Sequence, residues 1–105
     1  MAAKRIKTAH VEKVSAGLFF QKATEFFKAM VSAQQAGLSN AAVLNAVHCV
    51  ISAADAVLVH KGEVRSLSRA HGDAMELLSQ YLGKEKSDEA VRHFRAVLQK
   101  KNLVE

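Results

Sequence analysis

One stretch of the chain, residues 40–59, contains no Lys, Arg or Glu over twenty consecutive positions. Its larger apolar residues recur at spacings of three and four, which is typical of an α-helix. They are Val43, Val47, Val50, Ile51, Ala54 and Leu58. A helix of a small soluble domain has this composition only when most of its sides are covered. The stretch therefore predicts a helix at the centre of the domain or at a dimer interface.

The segments on either side of this stretch have amphipathic patterns that predict three further helices. Their expected ranges are 16–36, from Ser66 or Ser68 to about Leu82, and 87–98, and the apolar stretch supplies the second helix at 41–59. The absence of proline, with only five glycines, leaves little turn chemistry for β-hairpins. We therefore expect an all-α fold, an up-and-down antiparallel four-helix bundle, with room for a short extra helix at the N-terminus.

The length of 105 residues fits one domain, and the charge distribution separates a tail from it. Of the net charge of +5, residues 1–14 carry +3, from Lys4, Arg5, Lys7 and Lys13 against Glu12. We expect a basic N-terminal tail at 1–14 and a single helical domain at 15–105. Such a tail is either a solvated end or a source of salt-dependent attraction to nucleic acid.

Several classes of protein are excluded by what the sequence lacks. No uninterrupted apolar run reaches the roughly 18 residues of a membrane span. Cys49 is the only cysteine, so an intramolecular disulfide cannot form, and its apolar neighbours indicate a small buried side chain. Phosphate-binding loops, dinucleotide fingerprints and zinc motifs are missing. We expect a cytoplasmic protein with no membrane partner, no cofactor and no metal site.

The second helix carries four polar residues on one face, at spacings of three and four. They are Asn45, His48, Ser52 and Asp55. Burying such groups costs free energy unless each has a hydrogen-bond partner. Three interpretations remain open: an exposed strip, a hydrogen-bonded network that specifies a dimer, or the lining of a cleft.

The segment after the second helix concentrates cationic side chains, with Lys61, Arg65, Arg69 and His71 within eleven residues. An Arg binds a phosphate through two parallel hydrogen bonds, and a His can move a proton near neutral pH. If His71 lies in the first turn of the third helix, Arg65 and His71 can face one phosphate. Alternatively, His71 caps that helix or bonds to Asp55, and Arg65 is a solvated loop residue.

The layout of the chain resembles that of the HEPN domains, over roughly residues 18–105. Residues 22–62, KATEFFKAMVSAQQAGLSNAAVLNAVHCVISAADAVLVHKG, are similar to their first two helices. RSLSRAHGDAMELL resembles the segment in which a His precedes the third helix, and VRHFRAVLQKKNLVE resembles the closing helix. The resemblance implies a four- or five-helix bundle that forms a homodimer.

The resemblance also implies a role linked to toxin–antitoxin or defence systems. Catalytic members share an Arg followed after four to six residues by a His, a spacing that Arg65 and His71 satisfy. The first hypothesis is therefore a metal-independent endoribonuclease acting as a dimer, with Arg65 and His71 catalytic. Asn45, His48, Asp55, Lys61 and Arg69 would bind the RNA. The alternative is a non-catalytic module that binds a nucleotide or a cognate protein partner in a toxin–antitoxin or regulatory system.

Overall fold

The computed structural model of the protein describes residues 5–68, 70–83, 92 and 96. These residues form two short strands, β1 (Thr8–His10) and β2 (Val64–Ser66), and three helices, α1 (Ala16–Gln35), α2 (Ser39–Gly62) and α3 (His71–Leu82). A single 3₁₀ turn, Lys13–Ser15, leads into α1. The strands pair antiparallel, with Ala9 opposite Arg65.

Helices α1 and α2 form an antiparallel hairpin. Gly37 turns the chain between them with a φ of 75°, a conformation that costs glycine little. The amide of Leu38 donates to the carbonyl of Ala33 over 2.8 Å, which closes the end of α1. The buried residues of α1 are Ala23 and Ala33, so small side chains allow the two helices to approach each other there.

The hydrophobic core lies where the C-terminal half of α2 packs on α3. Its buried members are Ala54, Leu58, Ala74, Met75, Leu77 and Leu78. Ile6 from the N-terminal segment and Val64 from β2 pack against this cluster. The core therefore covers one side of α2, while α1 covers another.

The N-terminal segment is attached to the end of α2 through Glu63, the residue that ends that helix. Glu63 has a left-handed backbone, with a φ of 53°. Its carbonyl accepts a hydrogen bond from the amide of Val11 at 2.8 Å, and its carboxylate accepts one from the amide of Lys13 at 3.0 Å. These bonds place β1 beside β2 and set where α1 begins.

The predicted all-α four-helix bundle is wrong. The described residues contain three α-helices and a two-stranded antiparallel sheet. Residues 8–10 of the expected basic tail form β1, and a 3₁₀ turn stands where a short extra helix had room. Ser66 belongs to β2, so the third helix begins later than expected, at His71. The predicted fourth helix lies outside the described residues except for Arg92 and Ala96, which are helical.

Among the described helices, α2 is long and apolar enough to cross a membrane by length and composition alone. The core helix of a soluble protein meets the same criterion. Nearly half of its most apolar window is buried within this chain. The apolar composition of α2 corresponds to the stretch at residues 40–59 that contains no Lys, Arg or Glu.

The left-handed position at Glu63 gives a direct test of this connection. We expect Glu63→Gly to be more stable than Glu63→Ala by about 1 kcal/mol, because alanine retains the strain of a positive φ and glycine does not. Both variants lose the hydrogen bond from the amide of Lys13 to the Glu63 carboxylate. They therefore differ only in the free energy cost of a positive φ at residue 63. Urea denaturation measures the difference. Equal stability, or a more stable alanine variant, would show that residue 63 is not left-handed.

Candidate functional site

Asp55, Arg65 and Phe19 form a cluster that joins three elements. Asp55 lies on α2 and is only 6% exposed. Nη2 of Arg65, from β2, donates to Oδ2 of Asp55 over 3.2 Å. The same guanidinium lies over the ring of Phe19 on α1, with its central carbon 4.8 Å from the ring centroid. One cation is thus held by an anion and an aromatic face at once.

Burial dominates the electrostatics of this cluster. Desolvation raises the pKa of Asp55, and it outweighs the opposite effects of the Arg65 charge, the Arg65 hydrogen bond and the Lys22 charge. The Arg65 side chain remains 42% exposed, but its Nε atom is buried and has no hydrogen-bond partner. The ion pair therefore holds β2 against the hairpin, and the guanidinium that could bind a phosphate is already paired.

The other polar residues of α2 do not form a cleft with this pair. Nδ2 of Asn45 donates to the carbonyl of Ala41 one turn earlier, at 2.9 Å. His48 is exposed, and its ring stacks on Phe26 of α1 with centroids 5.0 Å apart. Ser52 is buried. Of this polar face, Asn45 thus bonds within α2, and His48 contacts α1.

The three members of the cationic segment that the structure describes belong to three different elements. Lys61 is exposed in the last turn of α2, and Arg65 belongs to β2. His71 is the first residue of α3, and Arg69 lies outside the described residues. In the parts of the chain that the structure describes, no group of three or more His, Cys, Asp or Glu side chains could hold a metal ion.

A feature that the sequence analysis missed is an apolar groove between the start of α1 and the second half of α2. Its volume is about 440 Å³. It is lined by Ala16, Gly17, Phe20, Ala53, Ala56, Val57, His60 and Lys61. The place of Phe20 in the groove depends on how α1 packs on α2, which the sequence pattern of one helix does not show. Its cue in the sequence is that two Phe residues, 19 and 20, stand together and cannot both face one neighbour.

The groove is part of a larger apolar surface of the hairpin. Phe20 is 67% exposed and Phe27 is 52% exposed. Seven residues make about two helical turns, so both rings project from the same side of α1. We call this surface the open face and define it by the exposed Phe20 and Phe27, the partly exposed Ala46, Cys49 and Ala53, and Ala56, a buried residue that lines the groove. Burial raises the pKa of the Cys49 thiol, so this residue acts as a small apolar side chain.

A scan against protein-family models, a search of curated proteins and a search of solved structures find no match to this chain.

The raised pKa of Asp55 predicts an unusual pH dependence of stability. The ordinary pKa is 3.8, and the folded pKa lies above it. As pH rises from this value, the unfolded state loses its proton first, so ionisation favours unfolding until the folded carboxyl also titrates. We expect the wild type to lose stability relative to Asp55→Asn across this window and to level off above it. Urea denaturation at a series of pH values measures the difference.

The opposite slope would contradict this account. If attraction to Arg65 exceeded the cost of burial, the folded pKa would be lowered, and the wild type would gain stability over Asp55→Asn as pH rises toward 3.8.

Proposed function

We propose that this protein is a non-catalytic protein-interaction module that works as a homodimer through the open face of its α1–α2 hairpin. The observation that supports the proposal most directly is the exposure of Phe20 and Phe27 on one side of α1, next to the groove. Large exposed apolar patches on a small domain are typical of protein interfaces. Aromatic anchors of this kind carry much of the binding energy in such contacts.

The composition of α2 also supports a dimer interface on the open face. Its sides toward α1 and α3 are covered, yet Ala46, Cys49 and Ala53 remain partly exposed. No charged side chain of α2 crosses this surface before Lys61 at its end. Covering the exposed part of each Phe ring contributes on the order of 1–2 kcal/mol. Association therefore stabilises a surface that water solvates poorly.

The Asp55–Arg65 pair supports a role without catalysis. A nuclease would need Arg65 to bind a phosphate as charge develops on it. Here Arg65 already pairs with a carboxylate, and a phosphate at the same guanidinium would be repelled by ionised Asp55. The pair is better suited to holding β2 and the N-terminal segment in place.

The oligomeric state tests the proposal. We expect light scattering after size exclusion to give about twice the chain mass of 11.4 kDa for the wild type. The double variant Phe20→Ser with Phe27→Ser should run as a monomer with unchanged helicity, because the anchors of the interface are removed. A monomeric wild type, or a dimer unaffected by the double variant, would overturn the proposal.

Leu67→Ser is the matched control. Leu67 is 61% exposed, close to the value for Phe20, but it follows β2 and is not part of the open face. This variant should remain dimeric.

Catalysis is tested separately with the purified protein and a labelled RNA. We expect no cleavage above that of His71→Ala, in EDTA or without it. Cleavage that persists in EDTA and disappears in a folded His71→Ala variant would contradict the non-catalytic part of the proposal and favour the endoribonuclease hypothesis.

A further inference from the structure

We propose that the second copy lies on the open face with its α2 antiparallel to α2 of the first, and that the two-fold axis passes the midpoint of these helices. This inference rests on the proposed function and adds the register of the contact. It makes the occupant of the groove a segment of the same chain.

The first support is the spacing of small residues along the side of α2 that lines the groove, where Ala56 is buried and the other positions are partly or fully exposed. Six positions follow one another at alternating intervals of four and three. They are Ala42, Ala46, Cys49, Ala53, Ala56 and His60. This is the spacing of a seam along which two helices pack side by side. Small side chains at all but the last position allow the two backbones to approach closely.

The second support is the symmetry of this seam. Helix α2 runs from Ser39 to Gly62, so its midpoint falls next to Ile51. The centre of the seam, between Cys49 and Ala53, is the same point. An antiparallel copy turned about that point places Cys49 opposite Ala53 and Ala46 opposite Ala56. The seam is thus complementary to itself over the full helix, as a two-fold interface requires.

The third support is the position of the aromatic rings. Phe20 lines the groove together with Ala53 and Ala56, beyond the midpoint of α2. Phe26 stacks on His48, so its neighbour Phe27 lies at the level of Cys49, before the midpoint. The same two-fold axis therefore brings Phe20 of one copy level with Phe27 of the other. Each pair of rings can cover the small residues of the facing helix.

The size of the face agrees with what a dimer needs. The 20 residues of α1 correspond to about 30 Å, and two helices side by side are about 20 Å wide. Pairing two such faces covers on the order of 1,200 Å², the lower end of the range for specific interfaces. An isologous contact also closes on itself, so the open face of each copy is used by one partner.

The native thiol makes the register testable. In Ala53→Cys, the new thiol should face Cys49 of the other copy, within reach of a disulfide. We expect mild oxidation to convert the protein to a covalent dimer on a non-reducing gel. Cys49→Ser combined with Ala53→Cys should lose this dimer, because each new thiol then lacks its facing partner.

Ala29→Cys is the control for accidental collisions. Ala29 is exposed on α1, on the side away from Phe20 and Phe27, and Cys49 is retained. This variant should stay monomeric on the gel. A protein that is dimeric by light scattering but gives no more covalent dimer for Ala53→Cys than for Ala29→Cys would overturn the register while leaving the proposed function intact.

Two other outcomes would overturn both. One is a wild type that is monomeric at every concentration tested. The other is a monomer that floats with phosphatidylcholine and phosphatidylglycerol vesicles and loses this binding in Phe20→Ser with Phe27→Ser, since a lipid surface would then be what covers the open face.

Discussion

The rest of the structure depends on the need to cover α2. A 24-residue helix with no charged side chain but Asp55 before its last turn has apolar surface on most of its sides. Within the chain, α1 covers one side through small residues, and α3 covers another through the core around Leu58 and Met75. The third side carries the exposed rings of Phe20 and Phe27 and the partly exposed Ala46, Cys49 and Ala53. In the proposed assembly, a second copy covers this side.

Asp55 is the one charged side chain within the apolar part of α2, and its ion pair joins this helix to the two-stranded sheet. Its ionisation is opposed by burial and aided by Arg65 and Lys22, with burial the larger effect. Arg65 belongs to β2, and the pairing of β2 with β1 joins residues that are far apart in the sequence. A buried carboxylate without its partner is strongly destabilising, so the pair selects one docking of the sheet onto the hairpin. The same pairing holds Nη2 of Arg65 at the carboxylate, while 42% of the Arg65 side chain remains exposed.

Local patterns in the sequence predicted α1 and α2 to within three residues at each end, but placed the start of the third helix too early. The apolar spacing of 16–36 corresponds to α1 at Ala16–Gln35, and Gly37 and Gly83 follow helices with positive φ. The strands could not be predicted, because three residues are too few to show alternation and their register joins Thr8 to Ser66. The spacing of three and four predicts one face for Asn45, His48 and Asp55. It could not show that these side chains have three different partners, which are a carbonyl of α2, the ring of Phe26 and the guanidinium of Arg65. The groove was missed because it needs Phe20 and Ala53 to be adjacent, which only the packing of two helices determines.

The central claim is that the open face is covered by a second copy of the same chain. Isotope-filtered nuclear Overhauser spectroscopy on a mixture of ¹³C-labelled and unlabelled protein tests it most directly, because only contacts between copies give signals. If a second copy covers the open face, we expect contacts from the ring protons of Phe20 and Phe27 to the methyl groups of Ala46, Ala53 and Ala56 in the other copy. A spectrum that has contacts between copies only at other surfaces, or none at all, would contradict it.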